Sequence, residues 1–169
     1  GILKENDYYN FFFIDYDGNV IFSVRDENVL GQNVFSGDLR TSLLSETARK
    51  SLETGKTLFS DLEVFNPSYD KISGFFVKPV QNDNGKTIGL LTLQITSEGL
   101  NDMILQETGY GETGQAFLVG DDMILRSAKR FGEKSEVLKE KISNKKTLQW
   151  RDYMLHKDDI AYLNSKELQ

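Results

Sequence analysis

Two short apolar runs, Phe11–Asp15 and Val20–Val24, flank Tyr16-Asp17-Gly18-Asn19. Asp-Gly and Asn tolerate a positive φ, so these four residues predict a tight turn and the whole stretch a β-hairpin. That hairpin commits the start of the chain to an antiparallel sheet, and the residues downstream supply the rest of the strands. Thr41–Glu53 has helical spacing, with Leu43, Leu44, Thr47, Ala48 and Leu52 on one face. Thr41 or Ser42 can cap its start, and Gly55 can close it. Three strand-like runs come next, at Thr57–Phe65, Ile72–Val80 and Thr87–Ile95, the last two joined by Asn82-Asp83-Asn84-Gly85. Strands running on after a single helix predict an α+β fold, an antiparallel sheet with its helices on one side.

Around this block, Ile2–Asn10 reads as the tail of a helix and Ser97–Gln106 as a second one, with Leu100, Ile104 and Leu105 apolar. Gly109, Gly111 and Gly114 then interrupt the pattern, which predicts a first module over 1–108 and a second over 109–169. In the second, Gln115–Val119 and Met123–Ser127 read as a hairpin around Asp121-Asp122, and Ser135–Ser143 as a helix. Thr147–Leu155 and Ile160–Asn164 read as strands about Lys157-Asp158-Asp159. The element order of the first module is thus repeated in the second, shortened at its end.

Composition narrows the function classes. The chain of 169 residues has no cysteine, which excludes disulfides and thiolate metal sites. A formal net charge of −6 argues against nucleic acid as a partner. The basic stretch Lys129-Arg130 and Lys134 through Lys146 is interleaved with Glu133, Glu136 and Glu140 and reads as a solvated helix face. No apolar run reaches the ~20 residues of a membrane span. Gly1-Ile2-Leu3 reads as a cut, which places any membrane anchor outside this sequence.

Nothing assembles into a catalytic site. Gly109-Tyr110-Gly111-Glu112-Thr113-Gly114 matches G-x-G-x-x-G, but a helix precedes it and a strand is expected after it, the reverse of the dinucleotide-binding context. The single histidine, His156, lies in an expected turn with no serine placed beside it and no G-x-S-x-G elbow in the chain. Asp121-Asp122 and Asp158-Asp159 lack the alternating ligand spacing of a calcium loop. The expectation is a binding protein with no catalytic residue, no metal and no cofactor.

Two segments carry a resemblance. Lys78-Pro79-Val80-Gln81-Asn82-Asp83-Asn84-Gly85-Lys86-Thr87-Ile88-Gly89-Leu90-Leu91-Thr92-Leu93 resembles the hairpin of Cache domains. Gly109 to Ser127, continued by Ala128-Lys129-Arg130-Phe131, resembles the stretch that joins the two modules of double-Cache receptors. The resemblance covers roughly 8–142. It implies a PAS-like Cache module with a long N-terminal helix, followed by a shortened second PAS-like module. It also implies the extracytoplasmic, periplasmic sensor of a bacterial membrane receptor, most simply a methyl-accepting chemotaxis protein. Such receptors signal as dimers through the N-terminal helix, so a homodimer is expected in the full receptor.

By the same resemblance, to citrate-type sensors, the ligand contacts fall on alternate positions of the strand before Pro79 and on a small polar position of the next strand: Phe75, Val77 and Thr92. Neither Phe75 nor Val77 is basic, which disfavours a dicarboxylate and points to an amino acid or a short carboxylate. Asp61 and Tyr69, from the strand and loop before, are the polar groups expected at the rim. The first module, with all its strands, is expected to hold the site. Two other readings remain: a cytosolic PAS domain with haem or flavin, which would want an axial His or a Cys, and a hydrolase using His156.

Overall fold

The computed structural model describes residues 8–106 and 116–143, with positions 145, 148, 149 and 152. The chain divides into two compact units between Ala116 and Phe117. The first contains β1 (Asn10–Asp15), β2 (Val20–Ser23), α1 (Leu43–Thr54), β3 (Leu58–Phe59), β4 (Glu63–Phe65), β5 (Lys71–Gln81), β6 (Thr87–Thr96) and α2 (Ser97–Gln106). Single 3₁₀ turns at Gly37–Thr41 and Asn66–Ser68 precede α1 and β5. The expected α+β class is the observed one.

The hairpin forms where its turn residues require it. Asp15 Oδ1 accepts from the backbone N–H groups of Asp17 and Asn19, at 3.0 and 2.8 Å, which ties the turn shut. All six strands are antiparallel, in the order β2-β1-β6-β5-β3, with β4 also on β5. The long central pair β5–β6 turns at Asn82, whose side chain accepts from the amides of Asn84 and Lys86. Pro79 lies beyond Val77, the last β5 residue that β3 reaches, so its missing N–H costs no ladder bond there. Gly89 pairs with Asp15, and a Cβ built on it would stand 2.3 Å from the Ile14 carbonyl oxygen. Only glycine permits that approach.

Strand alternation sorts the phenylalanines onto two faces. Phe12 and Phe75 are wholly buried, together with Ile14, Val77 and Leu90, and α1 covers this face with Leu44 and Ala48. Phe11 and Phe13 are half-buried on the opposite face, where Phe22, Phe59 and Phe76 are exposed. Helix α1 starts at Ser42, whose hydroxyl oxygen accepts from the Ser45 N–H at 3.0 Å, and ends at Gly55 with φ 67°. Its buried side includes Ser45 and Ser51 as well as Leu44 and Ala48.

Several expectations need correction. Asn10 is not helical but opens β1, where it is fully buried; its side chain accepts from the amides of Phe11 and Arg25 and donates to Ser23 Oγ. The run 57–65 is two strands: the Ser60 N–H still donates to the Phe75 carbonyl, but the Phe75 N–H goes to the Ser60 hydroxyl oxygen at 2.9 Å in place of a backbone carbonyl. Residues 135–143 do not form a helix. A single 3₁₀ turn, Lys134–Glu136, gives way to Leu138 at φ 62°, whose N–H donates to the Leu125 carbonyl.

That last bond belongs to the second unit. Its expected hairpin is present as one antiparallel bridge, Val119 to Leu125, closed over the turn at Asp121-Asp122. Ile124 bridges to Lys141, and Met123, Leu125 and Val137 are buried. Lys129, expected on a solvated face, instead holds Glu140 at 2.7 Å and Glu136 at 3.5 Å. Lys145, Leu148, Gln149 and Asp152 are helical, which corrects the strand expected from 147. Residues 2–7, the glycine-rich stretch Gly109 to Gly114, His156, Asp158-Asp159 and the strand expected at 160–164 lie outside the described residues. Among the described residues, no helix is long and apolar enough to cross a membrane.

Candidate ligand-binding site

In the first unit, a cleft of about 480 Å³ opens between the 3₁₀ turn leading into α1 and the β4 strand with the turn after it. Asp38, Thr41 and Ser42 line one wall; Glu63, Phe65, Asn66 and Pro67 line the other. The volume lies within the range of about 300–1,000 Å³ that small-molecule sites occupy.

Glu63 joins the two walls. It projects from β4 to the start of α1, where Oε2 accepts from the Leu43 N–H and Oε1 from the Leu44 N–H, both at 3.0 Å. A carboxylate is favoured there by the unsatisfied amides and the positive end of the helix. Burial nevertheless lifts the Glu63 carboxyl above its usual pKa, and the two amide donors offset this only in part. Behind the cleft, the buried ring of Phe65 packs on Phe75, and Phe75 on Phe12, so the cleft wall is continuous with the sheet.

None of the five residues expected at the site lines the cleft: three are buried within the sheet and two are exposed. Val77 and Thr92 are register partners on β5 and β6, and Thr92 also pairs with Phe12. Phe75, Val77 and Thr92 are all fully buried on the α1 side of the sheet. Thr92 Oγ1 has no hydrogen-bond partner there, nor has Ser45 Oγ on α1. Asp61 is exposed between β3 and β4, with Oδ1 accepting from the Leu62 N–H at 2.7 Å. Tyr69 is exposed too, at φ 57° after the second 3₁₀ turn. Neither Asp61 nor Tyr69 lines the cleft.

Sequence reasoning missed Glu63, Asp38 and Asn66. Glu63 carries a usable signal, a lone carboxylate inside the otherwise apolar run Leu62-Glu63-Val64-Phe65. Its partners lie 19 and 20 residues away, and the run itself does not show them. Two further polar groupings lie off the cleft. Gln94, fully buried, donates to Ser68 Oγ at 3.1 Å and Ser73 Oγ at 2.9 Å. At the start of β1, the Tyr9 hydroxyl donates to Glu27 Oε1, while Arg25 and Lys71 stand over its ring at 4.3 and 5.5 Å. Among the described residues, no cluster of three or more His, Asp or Glu side chains could hold a metal.

The sequence matches no known protein family and no curated protein. Solved structures do match. The ligand-binding domain of the Campylobacter jejuni chemoreceptor Tlp3, in complex with 4-methylisoleucine, superimposes with a TM-score of 0.59 at 17% identity, covering 87% of this chain and 52% of that one. The ligand-binding domain of the Pseudomonas aeruginosa amino acid chemoreceptor PctC, in complex with GABA, gives 0.57 at 15%, covering 82% and 55%. An extracellular ligand binding receptor from Desulfohalobium retbaense gives 0.58 at 14%, covering 89% and 25%. The chain therefore shares its fold with these receptor ligand-binding domains. This chain spans about half the length of the two chemoreceptor domains and a quarter of the third structure.

Proposed function

We propose that the chain is the extracytoplasmic, periplasmic ligand-sensing region of a bacterial membrane receptor of the chemotaxis type. It binds a small molecule, an amino acid or short carboxylate, and does not catalyse a reaction. The observation that carries this is the cleft of about 480 Å³, set in a fold shared with ligand-binding domains of chemoreceptors. The first module holds the site. A ligand enters between the walls bearing Asp38 and Glu63, and Phe65 stands between it and the buried face of Phe75, Val77 and Thr92. Asp61 and Tyr69 are exposed and lie outside the lining. Segments outside this chain anchor it in the membrane, and the full receptor works as a homodimer through its N-terminal helix. The second module, over 109–169, is a partial copy of the first.

Binding drives a signal only through differential affinity for two states of the receptor. The N-terminal side of β1 and the start of α1 are the elements on which such a difference would act, since Glu63 ties the latter to the cleft. The experiment is a calorimetric titration of the purified chain with amino acids and short carboxylates. Saturable binding supports the reading, and heats of dilution alone for every compound sink it.

A further inference from the structure

We propose that the cleft is an amine site, in which an ammonium group of the ligand sits between the carboxylates of Glu63 and Asp38. The proposal rests on the ligand-sensing function above and narrows it to ligands that present a cation.

The charge of the walls is the first reason. Of the described residues that line the cleft, two are carboxylates and none is Lys, Arg or His. A recess lined by one sign of charge concentrates the opposite sign and repels its own. The second reason is that the element a carboxylate ligand would need is already occupied. The first amides of a helix are a ready-made anion site, and α1 opens directly onto the cleft through Ser42. Yet the Leu43 and Leu44 amides donate to Glu63, and the Ser45 amide donates to Ser42 Oγ. The protein has filled its own anion site with its own anion.

Third, Glu63 keeps capacity for a donor. A carboxylate offers about four acceptor positions, and the two amides use one on each oxygen. An ammonium group brings three donors and no acceptor, which suits a half-buried carboxylate that burial disfavours as an anion. The Gln32 and Asn66 side chains, also in the lining, add amide oxygens as further acceptors. Phe65 and Pro67 give the carbon chain of the amine an apolar wall.

The test is a calorimetric titration of the chain with butylamine, butyrate and norvaline, on the wild type and on Asp38→Asn and Glu63→Gln. Butylamine should bind and butyrate should not. Asp38→Asn, on an exposed turn, should weaken the amine about tenfold or more, the scale of one charge-assisted contact, with the unfolding midpoint unchanged. Glu63→Gln should weaken it further, its midpoint being measured alongside because it also caps α1. Butyrate binding as tightly as butylamine overturns the amine site while leaving the sensing function intact. So does norvaline binding that neither substitution affects. Failure of all three probes, in company with the wider titration above, takes down both.

Discussion

The ring of Phe65 stands edge-on to that of Phe75, with centroids 4.8 Å apart and planes at 66°. Phe75 meets Phe12 in the same manner at 6.0 Å and 71°. One ring thus belongs to the cleft wall, the next to β5 and the third to β1, and all three are buried. Edge-to-face pairs of this kind add roughly 0.5–1.5 kcal/mol beyond the area they bury.

Phe65→Ala should therefore cost about 3–5 kcal/mol of unfolding free energy, the usual penalty for emptying a buried aromatic site. Urea unfolding measures this directly. A loss below about 1 kcal/mol would mean that the wall does not pack as described.

Thr92→Val should do two opposite things. The hydroxyl is buried without a partner, so replacing it with a methyl group should leave stability unchanged or raise it by about 1–2 kcal/mol. If Thr92 meets a ligand, the same change should weaken that ligand by about 1–3 kcal/mol. A destabilised Thr92→Val protein would show that the hydroxyl is bonded after all.

Gly89→Ala tests the close pass of β6 against β1. The added Cβ would collide with the Ile14 carbonyl oxygen and with the Phe13 ring. Backbone cannot yield as a flexible side chain can, so the expected outcome is a loss of several kcal/mol, on the order of the largest single-residue effects, or no soluble protein. Near-normal unfolding would contradict the β1–β6 register.

Burial first, then the hydrogen bond to Glu27 and its charge, push the Tyr9 hydroxyl up to about 12. The neutral phenol is thus favoured in the folded chain over its ordinary balance, which is set at 10.0. Its contribution to stability is complete below pH 10 and fades as pH rises through about 12. A tyrosinate absorbance titration should show a late step that disappears in Tyr9→Phe. If that late step survives in Tyr9→Phe, the assignment is wrong.

The local signals were legible where the chain decides its own geometry. Asp15 and the Asp17-Gly18-Asn19 turn, Ser42 and Gly55 at the ends of α1, and the Asn82–Gly85 turn all act through near neighbours. The alternation of Phe11, Phe12 and Phe13 along β1 matches two half-buried rings and one in the core. What stayed hidden depends on distant contacts. At Ser60 the strand is interrupted where the side-chain hydroxyl, not a backbone carbonyl, takes the Phe75 N–H, and Leu138 leaves the helical region where it bonds to Leu125. The cleft is hidden for the same reason, since Glu63 becomes a wall residue only once α1 is laid beside β4. Family resemblance pointed to Phe75, Val77 and Thr92, which are fully buried and line no part of the cleft, while the open space lies beyond Phe65.

Thermal unfolding of the chain across amines, amino acids and short carboxylates tests ligand sensing by the first module most directly. A ligand that binds only the folded form adds about 2.7 kcal/mol at a hundredfold excess over its Kd, a shift that unfolding resolves easily. The expected result is a clear upward shift with at least one of these classes, reduced in Asp38→Asn and retained in Arg126→Ala, a second-unit residue that pairs with Asp122. The contradicting result is no shift with any class, or a shift that Arg126→Ala abolishes while Asp38→Asn keeps it.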